Sequence, residues 1–163
     1  RQFHSSPPRS SFTNILADET APAIQVQSIS PERGIELGDG LLIRSACIFL
    51  NGTVLLWDVP PLTAATSATK VSSVWEAWTR EHFYVFETVL PRPEMLIFGT
   101  GARVLLPPPF VRQYLNELGI QFEVMKTRDA CSTYNMLSEE GRLVAAALLP
   151  LDPSMQWSEL KAT

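Results

Sequence analysis

Asn51-Gly52 lies between two apolar runs, Ala46 to Leu50 and Thr53 to Trp57. Asn-Gly is the dipeptide that most readily takes positive φ at both central positions of a two-residue turn, so the stretch ACIFLNGTVLLWD predicts a β-hairpin. Both faces of these strands are apolar, so the sheet they enter is expected to be covered on both sides. The chain must therefore supply two covering layers. Its 163 residues, 45% hydrophobic and 18% charged, suffice for one well-buried core, and one domain is expected.

Upstream of the hairpin, AIQVQSI alternates apolar and polar residues through Ile24, Val26 and Ile29 and predicts a strand. GIELGDGLLI predicts two short extended pieces about the turn Gly38-Asp39-Gly40. The first half therefore reads as antiparallel. After Pro60-Pro61 and an Ala-, Thr- and Ser-rich loop to Ser73, residues Trp75, Trp78, His82, Val85 and Phe86 recur at three- and four-residue steps. That spacing predicts a helix from about Val74 through Thr88, stopped by Pro91 and Pro93.

The second half alternates its periods. EMLIFGTG is a short apolar strand; Pro107, Pro108 and Pro109 open a helix that Gly119 ends; IQFEVM is a strand. Thr127 or Asp129 caps a further helix running to about Glu140 and closed by Gly141, and LVAAALL is the last strand. Connections this short make the strands parallel and the crossovers right-handed. The expected fold class is α/β: a single domain whose mixed sheet joins an N-terminal antiparallel hairpin part to a C-terminal parallel β-α-β-α-β part, with helices packed on the sheet.

Residues 1–21 differ from the rest. They carry Arg1, Arg9 and several serines, with no acid before Asp18. Such a stretch is expected to be a mitochondrial targeting-like leader or extension, because the membrane potential draws positive charge inward and opposes carboxylates. Residues 22–150 form the expected domain, and residues 151–163 a tail. In the tail Met155, Trp157 and Leu160 follow Asp152-Pro153 with the spacing of a short amphipathic helix, which has little stability alone.

Charge and cysteine usage exclude several functions. The net charge is −4, the pI is near 5.2 and the 13 Lys and Arg are scattered, so no stripe is available for direct contact with nucleic acid. No apolar run approaches the ~20 residues that cross a bilayer, which leaves a peripheral association with the inner membrane at most. Cys47 and Cys131 have no paired spacing, so neither a disulfide framework nor a metal site is expected.

Two stretches could carry chemistry. FGTG follows a buried strand, where open α/β sheets commonly place ligands. A dinucleotide fingerprint would open directly into a helix, and three prolines delay this one, so no cofactor is expected. What is left is a turn, Gly99-Thr100-Gly101 with Arg103 close by, able to present backbone N–H groups to an anion. The other stretch is DACSTYNML, with Cys131 near a helix start, where the dipole lowers a thiol's pKa. A cysteine nucleophile needs a base, and the chain offers only His4 and His82. No catalytic residue is therefore assigned. Tyr134 and Asn135 read as a ring packed on the sheet and an amide bonding nearby backbone. Glu76, Glu81, Glu87, Glu139 and Glu140 fall on solvated faces.

The string from Leu96 to Pro150 resembles the small α/β domain of the mitochondrial complex I (NADH:ubiquinone oxidoreductase) assembly factor 3 family, also found in bacteria and archaea. The strand ending Gly99-Thr100-Gly101, the proline-started helix, GIQFEVM, T-x-x-A-C-x-T-Y-N-x-L from Thr127 to Leu137, and EGRLVAAAL carry the resemblance. It extends more thinly back to about Ile24, with Pro60 to Ser73 reading as an insertion. The resemblance implies a non-catalytic factor in the matrix or at the matrix face of the inner membrane. Its implied partners are a second assembly factor and early subunits of the quinone-reducing module. It also marks Gly99, Thr100, Gly101, Thr127, Cys131, Tyr134 and Asn135 as a candidate ligand or partner surface. Trp75, Trp78 and Trp157 are expected as partner anchors, since interfaces are held by buried aromatics. Two alternatives stay open: a structural component of another large mitochondrial complex, and a small-ligand or anion binder at the Gly99 to Gly101 turn.

Overall fold

The computed structural model describes residues 24–62 and 74–155. The Asn-Gly hairpin is present. Strands β4 (Cys47–Leu50) and β5 (Thr53–Leu56) pair antiparallel with Leu50 opposite Thr53, and Asn51 and Gly52 have φ of 49° and 72°. Glycine at 52 removes the Cβ penalty of that conformation. β4 is buried throughout, while Thr53 and Leu56 of β5 are exposed, so the double covering expected of both strands holds for β4 and fails for β5. The reason is position: β5 is an edge strand.

Beyond β4 the sheet becomes parallel. β8 (Val144–Leu148) pairs antiparallel with β4 and parallel with β6 (Met95–Gly99), and β6 pairs parallel with β7 (Gln121–Met125), giving the order β5-β4-β8-β6-β7. The α/β class, the mixed sheet and the β-α-β-α-β half are as expected. The N-terminal strands β1 (Val26–Ser30), β2 (Gly34–Leu37) and β3 (Leu42–Ile43) form a separate three-stranded antiparallel sheet.

Strand alternation divides the interior in two. On one face Ile48, Leu50, Leu96, Phe98, Ala145 and Ala147 meet α2 (Pro109–Glu117) and the rings of residues 74–86. On the other, Cys47, Phe49, Ile97, Ala146 and Leu148 meet α3 (Thr127–Glu139) and the small sheet. The alanines of central β8 let both layers come close. In α2, Pro109 supplies a preset φ at the first position, and Val111, Tyr114 and Leu115 share the buried stripe.

The helix expected from Val74 through Thr88 is broken. A turn at Val74-Trp75, a 3-10 turn over Arg80–Phe83 and a single helical turn, α1 (Val85–Thr88), take its place. Thr79 between them is extended, with φ −128° and ψ 169°, and its N–H donates to His82 Nδ1 at 3.0 Å. The buried residues are Val74, Trp75, Trp78, Phe83 and Phe86, a spacing that one helical face would also present, but aromatic and β-branched residues form helices poorly. Residues 1–21, the loop through Ser73 and Trp157 lie outside the described residues.

Candidate functional site

β6 sits where the chain changes direction across the sheet. The crossover through α2 leads to β7 on one side of β6, and the crossover through α3 returns to β8 on the other. Ligands of open α/β sheets bind at the strands' carboxyl ends at such a switch point. Here β5, β6 and β8 all end at one edge, and their continuations enclose a cleft of about 270 Å³. Trp57, Leu62, Leu105, Leu149 and Met155 supply apolar walls, while Asp58 and Arg103 contribute charge.

Among the described residues, Thr100, Gly101 and Arg103 are the sequence-marked ones that border this cleft. The amides of the turn are already bonded: Thr100 N–H donates to Met125 O at 3.0 Å, and Gly101 N–H to Thr127 Oγ1 at 2.8 Å. An anion therefore finds Arg103, whose side is exposed, and neither of these two donors. Thr127 is also not the helix cap. Lys126 holds that position, and the Thr127 hydroxyl donates to Leu149 O at 2.7 Å while accepting from Gly101. One wholly buried hydroxyl thus joins the ends of β6 and β8 to the start of α3. Gly99 permits that approach, since a Cβ there would lie 2.8 Å from Thr127 Cα.

Cys131 faces the core, 3% exposed, in the same cluster as Cys47, Phe49 and Tyr134. Burial pushes its thiol up to about 12, against smaller opposing effects of Arg128 and a backbone hydrogen bond. The lowered pKa expected from the helix start does not arise, because loss of water outweighs the dipole. Burial raises Cys47 as well, helped by Cys131. His82 packs on Trp78, with ring centroids 5.4 Å apart, in the layer on the opposite face of the sheet. Tyr134 lies 5.3 Å from the Phe49 ring, and burial raises its phenol pKa. Asn135 does something more specific. Its Oδ1 accepts from Val26 N–H at 2.9 Å and its Nδ2 donates to Val26 C=O at 2.8 Å, so the side chain pairs with β1 as a strand would.

Trp75 and Trp78, expected as partner anchors, are each 3% exposed and belong to the core. Both rings pack on Phe98, with centroids 6.0 Å from its ring. Sequence reasoning did not place Trp57 at a cleft; its Nε1 donates to His82 O at 2.8 Å and leaves its ring for the wall. The available signal was the crowding of prolines just past two strand ends, Pro60-Pro61 and Pro150 with Pro153.

Comparison with known proteins places this architecture. Residues 27–149 match a family described as protein of unknown function (DUF498/DUF598). NADH dehydrogenase [ubiquinone] 1 alpha subcomplex assembly factor 3 of Danio rerio is 34% identical over 142 residues, 87% of this chain and 73% of the relative. The Mus musculus protein of the same name is 32% identical over 84% of this chain, and the chain spans 66% of that relative's length. The Xenopus tropicalis one is 40% identical over 83% of this chain and 66% of the relative. Among solved structures, a Bordetella parapertussis protein is 30% identical with a TM-score of 0.57, covering 78% of this chain and 95% of that one. A Mth938-like domain from Bordetella pertussis, at 22% identity and TM-score 0.60 over 98% of both chains, shares the fold. On this match along most of its length, the chain belongs to the DUF498/DUF598 family, together with the complex I assembly factor 3 proteins.

Proposed function

We propose that this protein is a non-enzymatic interaction factor that assists assembly of respiratory complex I in mitochondria. The observation that carries the reading is the likeness, over 84% and 87% of the chain, to relatives named as complex I assembly factors. The geometry supports it. The residues that could have served a thiol enzyme or a phosphate cradle are bonded or packed within the fold, and the open feature is an apolar cleft. In this reading residues 1–21 direct import and residues 22–150 are the interaction domain, working in the matrix or at the matrix face of the inner membrane. The partners are a second assembly factor and early quinone-module subunits.

Purification of the tagged full chain from mitochondrial matrix, with the attached proteins identified, tests the proposal. Complex I subunits are the expected companions. Recovery of the free chain alone would overturn it, and subunits of a different large particle would favour the structural-component alternative. A second reading, a small-ligand binder, draws on the cleft's place at the switch point. A thermal-shift screen of apolar acids addresses it, since a ligand at 100 times its Kd adds about 2.7 kcal/mol of stability.

A further inference from the structure

The two-residue turn of the hairpin fixes where each backbone group of β5 points. Thr53 and Leu50 flank the turn as a hydrogen-bonded pair, so the pattern repeats at Leu55 opposite Ile48 and at Trp57, whose N–H donates to Ala46 O at 2.9 Å. Val54 and Leu56 lie between, and their N–H and C=O groups face away from β4. Among the described residues none bonds to them, and β5 has no outer neighbour in the sheet.

The other long edges are partly closed by side chains. Asn135 occupies both backbone groups of Val26 on β1, and on β7 Arg112 donates to Phe122 O at 2.9 Å beside Glu123. Charge, proline and plugging side chains are the devices by which proteins blunt an edge. β5, Thr-Val-Leu-Leu, has none of them, and Leu56 is 50% exposed. The strand then runs through Trp57 and Asp58 straight into the cleft wall.

We infer that the outer edge of β5 and the cleft it leads into form one docking site for an extended segment of a partner protein, added to the sheet as a further strand. This deepens the interaction role proposed above and rests on it. Unpaired backbone groups in a row recognise an extended chain. The apolar cleft takes one large apolar side chain beyond the paired stretch. Asp58 and Arg103, exposed and in none of the ion pairs among the described residues, select a segment with a basic and an acidic residue flanking that anchor. A small ligand would use the cleft and leave the edge bare.

The test places a photo-crosslinking amino acid at position 56 of the full chain in mitochondria, with position 90, where Leu90 is 84% exposed, as control. It is combined with Val54→Pro, Leu56→Lys and Arg103→Glu. Proline at 54 deletes only an outward N–H, the arrangement edge strands tolerate, so the hairpin is retained. The expected result is a cross-link from position 56 to an extended segment of a complex I protein. Recovery of that protein should fall roughly tenfold in the first two variants and about threefold in Arg103→Glu, as for lost strand pairing and a lost rim charge. If Val54→Pro does not fold, Leu56→Lys keeps every backbone N–H and decides. Undiminished recovery of complex I subunits in these variants sinks the edge and leaves the assembly role. A cross-link that maps to an extended segment of an identified protein outside complex I, lost in Leu56→Lys, keeps the edge and sinks that role. Cross-links only to a second copy of this chain overturn the inference.

Discussion

On one face of the five-stranded sheet, α3 is held by named polar bonds. Thr127 ties its first residue to Gly101 and Leu149, and Asn135 ties its third turn to Val26. On the other face, beside α2, the covering segment of residues 74–86 contributes a set of rings. Phe98 lies 5.9–6.3 Å from the centroids of Trp57, Trp75, Trp78, Phe83 and Phe122, while the indole N–H groups of Trp75 and Trp78 have no partner among the described residues. The first layer needs a regular helix, because its bonds require set directions. The second can be built from broken turns, because burial of apolar surface is non-directional. An irregular segment can thus be as well buried as a regular one while being specified far less by local pattern.

That contrast can be broken from either side, and the largest effect is expected at Cys131. With its thiol pushed up to about 12, the thiolate fraction at pH 7 falls by roughly a thousandfold or more against a free cysteine of pKa ~8.5. Alkylation of the folded protein should be slower by at least that ratio. The sign for stability follows: the folded state holds the proton more tightly, so the contribution is complete below the free thiol's pKa of ~8.5 and is lost as pH rises toward 12. Alkylation at the rate of a free thiol would show that the α3 layer opens. Next, Phe98→Ala removes the ring shared by five others and should cost about 3–5 kcal/mol in urea unfolding, the range for buried Phe truncation.

Thr127→Val keeps the shape and removes the hydroxyl, leaving a buried amide and carbonyl unpaired, for a loss of about 1–3 kcal/mol. A smaller loss would mean that water reaches the joint between β6, β8 and α3. Asn135→Leu should cost about 1 kcal/mol, as for hydrogen bonds at a half-buried site. Its sharper signature is in hydrogen exchange. Amides of β1 to β3 should exchange faster while those of β6 and β8 do not change.

The same contrast explains what could be read from the residues in order. The hairpin, both glycine-terminated helices and the β6 to β8 alternation carry their signals within a few positions, in turn chemistry and periodicity. Thr127 was legible as a helix start and illegible as a joint, because its partners lie 22 and 26 residues away. The spacing of Trp75, Trp78 and His82 imitated a helix, because rings that converge on one strand from separate turns also recur at short steps. The cleft has no contiguous motif at all. Its walls come from the ends of three strands between Ala46 and Met155. The closed edge at β1 depends on a side chain 109 positions from Val26.

The smallest effect is expected at Trp75, and it tests whether the aromatic layer is specified by area alone. Trp75→Phe loses part of a buried ring system, which destabilises by the transfer free energy of the missing atoms. It also removes a buried N–H with no partner among the described residues, a group whose burial costs about 1–3 kcal/mol on mutational scales. The two terms oppose, so the net change in melting should correspond to less than about 1 kcal/mol. Trp57→Phe makes the matched control, since the Trp57 N–H is bonded to His82 O, and removing it strands a carbonyl. Trp57→Phe should therefore cost more than Trp75→Phe, although both rings lie in one layer. Equal losses would mean that both indoles are held by shape, and a larger loss at Trp75 would mean that its N–H bonds within the folded chain and that this layer, too, is built on direction.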